Sequence, residues 1–299
     1  MTTNQTANLG THTVKRIGFG AMQLAGPNVF GPPADPDAAR AVLRRAIELG
    51  VDHVDTSQYY GPDVVNELIR EALAPYPAGL RIVSKVGGRR DDAGAWLPAL
   101  RPDELRAGVE ENLTTLRVES LAAVNLRLIG EPEIPLAEQL GTMEDLRREG
   151  KIEAIGLSNA DRANLEEALE LVDLACVQNA FSIVQRDSQD VLDLCAERGI
   201  AFVPFFPLGS AFTGGPRTIA ADHHVADVAA KHGATTSQVA LAWLLHHDER
   251  ILLIPGTSTV RHLEENMAAG SLELDAGDLE ALDDVRPAGN PLDTVTHER

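Results

Sequence analysis

The sequence predicts an α/β fold, a single-domain (β/α)8 TIM barrel in which eight parallel strands alternate with helices. Three observations predict it: eight apolar runs suit buried strands, segments with helical spacing lie between them, and glycines stand directly before several of the runs. No linker rich in Pro or Ser divides the chain, so the barrel domain is expected to span residues 13–299. Short strand–helix units in succession favour a parallel sheet with right-handed crossovers.

The predicted strands are, in chain order, "RIGFGAM", "VDHVDT", "LRIVSKV", "LAAVNLRLI", "KIEAIGLSN", "LACVQNA", "IAFVPFFP" and "RILLIPG". The first helix between them begins after Asp35, a capping residue that is followed by Pro36 at the first helical position. Its apolar residues recur with helical spacing and form one stripe, which consists of Ala39, Val42, Leu43, Ala46 and Ile47. Gly50, Gly150 and Gly199 fit the left-handed position that ends a helix.

The composition excludes several classes of function. A formal net charge of −19 repels nucleic acid and anionic membranes, so neither is expected as a partner. Cys176 and Cys195 lie in apolar contexts without metal-ligand spacing and are predicted to be reduced core residues of a cytoplasmic protein. Residues 1–12 lack the basic and apolar regions of a signal peptide and are expected to form a flexible polar tail. No stretch reaches the roughly 18–20 apolar residues of a membrane-spanning helix.

An open, doubly wound nucleotide-binding sheet is the alternative fold. That fold has a glycine-rich fingerprint at the first strand–helix turn. Here the corresponding stretch reads "GFGAMQ", with Gln23 in place of the third glycine, and a Pro-rich loop follows before any helix begins. No GxxxxGK[ST] phosphate loop occurs in the chain either, so the barrel is favoured.

Polar residues at the ends of the predicted strands are the candidates for chemistry, because the carboxyl ends of the strands form the working face of such a barrel. Asp55 ends the second run, Lys85 lies near the end of the third, and Tyr59 and Tyr60 follow Asp55 within five residues. A buried Asp–Lys pair keeps the ammonium charged, and a cation beside a phenol is expected to lower the pKa of the phenol from about 10. The alternative is that Asp55 caps the following turn while the tyrosines only pack.

Several of these segments resemble, in the correct order, those of the aldo-keto reductase family over about residues 13–285. "VDTSQYYGPDVVNELI" is similar to the family's Asp-Thr-x-x-x-Tyr-Gly segment, which implies that Asp55 is the catalytic aspartate and Tyr60 the catalytic tyrosine. "VSKVG" resembles the segment of the catalytic lysine and assigns that role to Lys85. "IGLSNA" and "VQNAFS" resemble the segments that contact the nicotinamide carboxamide, which here are represented by Ser158, Asn159 and Gln178.

Two further segments extend the resemblance along the cofactor. "VPFFPLGS" is similar to the family's aromatic-x-Pro-Leu-Gly segment, so Phe205 is expected to stack on the nicotinamide, where tyrosine is more usual. "IPGTSTVRHLEEN" resembles the segment that holds the adenosine 2′-phosphate and adenine, and it implies contacts by Gly256, Thr257, Ser258, Arg261, His262, Glu265 and Asn266. The cofactor residues that the resemblance implies also include Gly20, Met22, Pro207 and Leu208. NADPH (NADP+) is therefore preferred over NADH as the expected cofactor.

One position departs from the family pattern. The family has a catalytic histidine at the end of strand four, and the aligned stretch "LAAVNLRLIG" has Arg127 there. An arginine can donate a hydrogen bond to a carbonyl oxygen but cannot exchange protons near neutral pH. Arg127 is hypothesised to stabilise charge or orient the substrate at the catalytic site, and its alternative is a structural pair with a nearby carboxylate.

Loop residues and histidine pairs complete the candidates. Phe30, Trp96 and Phe212 fall in predicted loops on the working face, where they either wall an apolar substrate pocket or only pin the loops. The adjacent pairs His223–His224 and His246–His247 are expected to diverge on helices, so no metal site is predicted.

The resemblance implies NADPH-dependent reduction of an aldehyde or ketone to an alcohol, with the proton supplied by Tyr60. The resemblance also points to an aromatic aldehyde or a pyridoxal-type compound as the small-molecule substrate, and it favours a monomer. A cofactor-binding, redox-sensing subunit with little turnover is the alternative from another class, and a cofactor-independent barrel lyase or isomerase is a third.

Overall fold

The apolar runs of the sequence become the strands of a curved parallel sheet, in a computed structural model that describes residues 5–130, 133–210 and 214–286. The strands are β1 Thr6–Leu9, β2 His12–Lys15, β3 Phe19–Gly20, β4 His53–Asp55, β5 Arg81–Arg90, β6 Trp96–Ala99, β7 Ala123–Arg127, β8 Ile155–Ser158, β9 Leu174–Gln178 and β10 Ala201–Phe202. The sheet runs in the order β10-β9-β8-β7-β5-β4-β3, and β6 pairs only with β5.

The helices between the strands pack on the outside of this sheet. They are α1 Pro36–Glu48, α2 Val64–Leu73, α3 Pro102–Leu116, α4 Leu136–Arg148, α5 Arg162–Leu171, α6 Gln189–Arg198, α7 Pro216–Ala221, α8 His223–His232, α9 Thr236–His247, α10 Val260–Ala268 and α11 Ala276–Asp283. The start of α1 is as predicted, because the Asp35 side chain accepts the amide of Ala38 at 2.9 Å. Gly50, Gly150 and Gly199 all have positive φ. The sequence signals therefore located these helix ends correctly.

The segment 250–254 closes the barrel at its eighth position. Phe202 bridges Ile251 and Ile17 bridges Leu253, both in parallel orientation. The backbone amide of Gly18 donates to the Leu253 carbonyl at 2.8 Å, and the amide of Leu253 donates to Arg16 at 2.7 Å. The last predicted run thus joins β10 to β3, and the predicted (β/α)8 barrel is confirmed.

The interior of the barrel is filled by small and branched apolar side chains. They are Leu9, Val14, Val83, Ala123, Ala175, Cys176, Ala201, Val203, Leu252 and Ile254. Cys176 and Cys195 are both buried and free, as predicted. None of the helices in the described ranges is long and apolar enough to cross a lipid bilayer.

The expectation of a flexible tail over residues 1–12 is wrong for the part that the structure describes. β1 and β2 form an antiparallel hairpin in which Thr6 pairs with Lys15 and Leu9 with His12. Leu9 and Val14 are each 1% exposed and join the barrel interior. Burial of these two side chains at the amino-terminal end of the barrel holds the hairpin in place.

Candidate active site

A buried carboxylate–ammonium pair joins two neighbouring strands of the barrel. Asp55 ends β4, and Lys85 lies in β5, which is the hydrogen-bonded neighbour of β4. The Lys85 ammonium donates to Asp55 Oδ1 and also to the carbonyl of Thr56 at 3.0 Å. The other oxygen of Asp55 accepts the side-chain amide of Gln178 at 2.9 Å. The predicted pair therefore forms, and it is hydrogen-bonded on both sides as a buried ion pair requires.

Tyr60 lies directly above this pair. The Lys85 nitrogen is 5.0 Å from the centroid of the Tyr60 ring, and the residue is only 6% exposed. The turn that carries it is fixed by the amide of Val65, which donates to the Tyr60 carbonyl at 3.2 Å. The next residue, Gly61, has a φ of +90°. That backbone conformation suits glycine and explains the Tyr-Gly sequence.

The expectation that a cation lowers the pKa of the catalytic phenol is wrong in direction. Burial raises the pKa of Tyr60 above its usual value of 10, and the negative charge of Asp55 raises it further. Arg127 lowers the pKa of Tyr60, but its effect is the smallest of the three. Because desolvation disfavours the phenolate, Tyr60 retains its proton at neutral pH. The arrangement can supply a proton to a strong base but does not hold a phenolate ready.

Tyr59 is buried beside Tyr60 but faces different partners. The two rings meet edge to face at 5.4 Å, and Tyr59 makes a second such contact with Trp96 at 5.5 Å. Its hydroxyl is buried without a hydrogen-bond partner among the described residues. Burial raises the pKa of Tyr59 to about 12. Of the two adjacent tyrosines, the one beside Lys85 is Tyr60, as the resemblance implied.

Arg127 ends β7 and faces the same opening. Its Nη1 donates to Ser158 Oγ at 3.2 Å, and its guanidinium carbon is 4.9 Å from the centroid of the Phe205 ring. Among the described residues no carboxylate forms an ion pair with Arg127 within 4.0 Å. The predicted alternative, a structural pair with a carboxylate, is therefore wrong within those residues.

The residues assigned to the carboxamide gather at the ends of β8 and β9. Ser158 and Gln178 are register partners on these strands, and both are almost fully buried. Gln178 Oε1 is buried and has no hydrogen-bond partner among the described residues. Asn159 has a φ of +58° and donates to the carbonyl of Leu128 at 2.8 Å. An unsatisfied acceptor such as Gln178 Oε1 fits an amide donor of a ligand, because buried polar atoms are normally paired.

The backbone of Gly20, at the end of β3, lies close to that of Gly256, which follows the closing segment 250–254. A Cβ on Gly256 would stand 2.6 Å from the carbonyl oxygen of Gly20, so glycine is required there. Met22 follows in the short 3-10 helix Ala21–Leu24 and packs against the core. Pro207 is buried and Leu208 is half-buried after the left-handed Phe206. These residues line up at the carboxyl ends of their strands, where the resemblance places the cofactor.

The residues assigned to the 2′-phosphate cluster at the start of α10. Thr257 is buried, Ser258 is exposed, and the Arg261 guanidinium lies 2.8 Å from His262 Nε2. Arg261 also contacts Glu265 at 3.3 Å, with the Arg261 side chain 77% exposed. Asn266 is buried on the inner face of α10. An exposed guanidinium at a helix N-terminus favours an anionic group there.

A hairpin forms one wall of the opening above Tyr59. β5 continues to Arg90 and pairs with β6 in antiparallel register, with Arg90 opposite Trp96. The Arg90 guanidinium lies 4.0 Å from the centroid of the Trp96 ring and 5.3 Å from that of Phe30. Phe30 and Trp96 both contact Arg90, but Trp96 lies in β6 and not in a loop as predicted, because the chain after β5 folds back as a hairpin. Phe212 lies outside the described residues. The contact of Arg90 with the Phe30 and Trp96 rings could not be recognised from the sequence, because it depends on the pairing of β5 with β6.

Residues 16–287 match the sequence model of the Aldo/keto reductase family. The chain belongs to the aldo/keto reductase family. It is 47% identical over 287 residues to pyridoxine 4-dehydrogenase of Escherichia coli K12, and the match covers 94% of this chain and 98% of the relative. The aldo/keto reductase chain is thus an NAD(P)H-dependent oxidoreductase, as the sequence predicted.

Solved structures of other aldo/keto reductases share the fold. A thermostable aldo-keto reductase in complex with the inhibitor epalrestat superposes with a TM-score of 0.79 at 30% identity, covering 93% of this chain and 98% of that chain. An aldo/keto reductase from Klebsiella pneumoniae in complex with NADP and acetate has a TM-score of 0.79 at 25% identity, covering 96% and 97%. The cofactor in that relative agrees with the predicted one.

Two features of this aldo/keto reductase were missed or misjudged from the sequence. The rings of His223 and His224 do not diverge: their centroids are 3.9 Å apart, and ligand atoms of Asp222, His223 and His224 lie within 4.8 Å of one another. Asp63, after the Tyr60 turn, has a left-handed φ of +61°. Burial, with Glu111 as the second cause, raises the pKa of Asp63 to about 7. The "GPD" sequence signals a turn but gives no sign of that carboxyl neighbour.

Proposed function

We propose that this aldo/keto reductase reduces an aldehyde or ketone to an alcohol with NADPH, and that Tyr60 donates the proton. The observation that carries the proposal is the position of the Tyr60 ring, 5.0 Å from a Lys85 ammonium that is itself paired with Asp55. Asp55 ends β4, Tyr60 lies in the turn that follows, and Lys85 is near the end of the part of β5 that pairs with β7. Function in this fold concentrates at that end of the barrel.

The side chains divide the work. Bound NADPH supplies a hydride to the carbonyl carbon. Tyr60 keeps its proton at neutral pH because burial and Asp55 raise its pKa, and it gives up the proton when an alkoxide, a stronger base, develops beside it. Lys85 then stabilises the phenolate that remains, and Asp55 holds the ammonium in place. Arg127 donates hydrogen bonds to the oxygen but exchanges no proton.

The pocket residues support a nicotinamide cofactor. Gln178 Oε1 is a buried acceptor without a partner among the described residues, and a carboxamide NH2 is the donor that it lacks. Thr257, Ser258, Arg261 and His262 supply local donors for a 2′-phosphate on a chain with a net charge of −19. We therefore propose NADPH over NADH. A calorimetric comparison of the two cofactors tests this preference, and equal affinities would contradict it.

The proposed substrate is an aromatic aldehyde of the pyridoxal type. The relative with 47% identity is called pyridoxine 4-dehydrogenase, which names an alcohol of that type as its substrate. Trp96 is 42% exposed at the wall of the opening, with Tyr59 behind it and Arg90 against its ring. An exposed indole held in this way suits stacking by a flat aromatic ring.

The test uses the purified chain, NADPH and a panel of aldehydes that includes pyridoxal, benzaldehyde and an aliphatic aldehyde. Loss of nicotinamide absorbance is measured for the wild type, for Tyr60→Phe and for Tyr59→Phe. We expect turnover in the wild type, a loss of about 100-fold or more in kcat for Tyr60→Phe, and little change for Tyr59→Phe, since general acid catalysis contributes 10²–10⁴-fold. The matched control is strict because the Tyr59 hydroxyl makes no hydrogen bond among the described residues.

Turnover that survives in Tyr60→Phe would refute the assigned proton donor. Tight NADPH binding without turnover of any aldehyde would instead favour the redox-sensing subunit, against which the complete set of Asp55, Tyr60 and Lys85 already argues. We further propose that the protein is cytoplasmic and acts as a monomer. Size-exclusion chromatography with light scattering tests the oligomeric state.

A further inference from the structure

The guanidinium of Arg127 contacts two side chains that we assign to the nicotinamide site. Arg127 and Ser158 are register partners on β7 and β8, and the guanidinium donates to the Ser158 hydroxyl at 3.2 Å. The same guanidinium lies 4.9 Å from the centroid of the Phe205 ring. Ser158 is fully buried and Phe205 is half-buried, so neither contact is a loose surface encounter. Because β7 and β8 are neighbouring strands, Arg127 lies close to a nicotinamide ring that binds against Ser158 and Phe205.

The charge of Arg127 is not balanced locally. The Asp55 carboxylate is hydrogen-bonded to Lys85, and no ion pair within 4.0 Å links Arg127 to a carboxylate in the parts of the chain that the structure describes. Lys85, Asp55 and Arg127 therefore bring two positive charges and one negative charge to the surroundings of Tyr60. The field of Arg127 reaches both tyrosines, since it lowers the pKa of Tyr59 and of Tyr60 against the effect of burial.

The two redox states of the cofactor respond differently to this charge. The oxidised nicotinamide ring is a cation, and the reduced ring is neutral. A fixed guanidinium beside the ring repels the oxidised form and leaves the reduced form almost unaffected. We propose that Arg127 makes the cofactor site discriminate against oxidised nicotinamide in favour of the reduced form, and so favours binding of NADPH before the reaction and release of the oxidised cofactor after it.

The size of the effect follows from the distance. For a nicotinamide ring stacked on Phe205, the two unit charges would be about 5–8 Å apart, which at an effective dielectric constant of about 20 changes an equilibrium by roughly 30- to 200-fold. Arg127 is half-buried, so solvent screening reduces the expected discrimination to about 10-fold. A tenfold difference in affinity between the two forms corresponds to a shift of about 30 mV in the potential of the bound two-electron couple.

The test separates charge from packing. Dissociation constants are measured by calorimetry for NADP+, NADPH and adenosine 2′,5′-bisphosphate, which lacks the nicotinamide. The proteins are the wild type, Arg127→Met, which keeps the length without the charge, and Arg127→Lys, which keeps the charge. We expect Arg127→Met to lower the ratio of the NADP+ and NADPH constants by about 10-fold and Arg127→Lys to keep the ratio within about 3-fold. The bisphosphate binds all three proteins equally if they are folded alike.

An unchanged ratio in Arg127→Met would overturn the inference. An unchanged ratio with both constants weakened or tightened equally would show that Arg127 only packs on Phe205. The inference rests on the proposed function, and the experiment distinguishes failure of one from failure of the other. If the wild type binds NADP+ and NADPH no more tightly than it binds the bisphosphate, the cofactor assignment itself fails.

Discussion

Removal of the Lys85 charge tests whether the buried pair is as isolated from water as its geometry indicates. In Lys85→Met the volume of the side chain is nearly kept, but Asp55 loses the ammonium that it accepts from. Gln178 remains as a donor to the other carboxylate oxygen at 2.9 Å. The variant therefore leaves a carboxylate in the barrel with one neutral donor and no counter-charge.

The expected cost is large because both partners are shielded. The side chains of Lys85 and Asp55 are 3% and 4% exposed. Breaking such a pair by removing one partner costs about 3–5 kcal/mol of unfolding free energy. With about 2.1 cal/mol/K of unfolding entropy per residue over 299 residues, the melting temperature falls by about 5–8 °C. The double variant Asp55→Asn with Lys85→Met removes both charges and is expected to recover most of this loss.

Urea unfolding and calorimetry at pH 7 compare Lys85→Met, Asp55→Asn and the double variant with the wild type. The coupling energy from the double-mutant cycle is the quantity of interest, because it isolates the pair from other contacts of each residue. The reasoning is refuted if Lys85→Met is as stable as the wild type, or if the double variant is no more stable than the single one. Turnover is expected to stay low in the double variant, so that stability and activity separate.

Two further perturbations test the carboxyl beside the Tyr60 turn and the packing under the first strand. The raised pKa of Asp63, about 7 against about 3.9 for an unfolded chain, stabilises the fold at low pH, and this contribution is lost as the pH rises through 7. The unfolding free energy of Asp63→Asn should therefore rise relative to that of the wild type by about 1 kcal/mol between pH 5 and pH 8; this value is reduced because the carboxyl is half-exposed. Urea unfolding measures both free energies, and parallel pH curves would argue against the raised pKa. Gly18→Ala puts a Cβ against the buried His53 ring and should lower the unfolding free energy by about 1–3 kcal/mol. Gly141 lies on the exposed face of α4 with nothing within 4 Å of an added Cβ, so Gly141→Ala should raise the unfolding free energy by about 0.5–1 kcal/mol. Equal effects at the two glycines would contradict the packing argument.

The barrel and the positions of its strand ends could be predicted because they depend on patterns that the sequence carries locally. Asp35, Gly50 and the apolar stripe of α1 each encode a boundary through the chemistry of one residue. The hairpin of β1 and β2 escaped prediction because its four-residue strands are mostly polar and hold only Leu9 and Val14 inside. Its stability comes from contacts with distant strands, which local patterns do not reveal.

The sequence predicted which side chains would come together around Lys85, but not their electrostatics. Asp55, Tyr60 and Lys85 converge because their strands are neighbours, which the chain order implies. The direction of the Tyr60 pKa was missed because burial outweighs nearby charges, and the depth of burial is a property of the assembled barrel. The contact of Arg90 with Trp96 and Phe30 depends on the extension of β5 and on β6, where Pro98 weakens the strand signal.

The closure of the barrel by residues 250–254 constrains how the protein can be made. Ile17 finds its partner Leu253 more than two hundred positions later in the chain. On a ribosome β3, the first strand of the barrel, therefore emerges long before the segment that covers its free edge. Nascent chains of this enzyme must keep that edge from pairing with neighbours until synthesis is nearly finished, and they are expected to depend on chaperones during that interval.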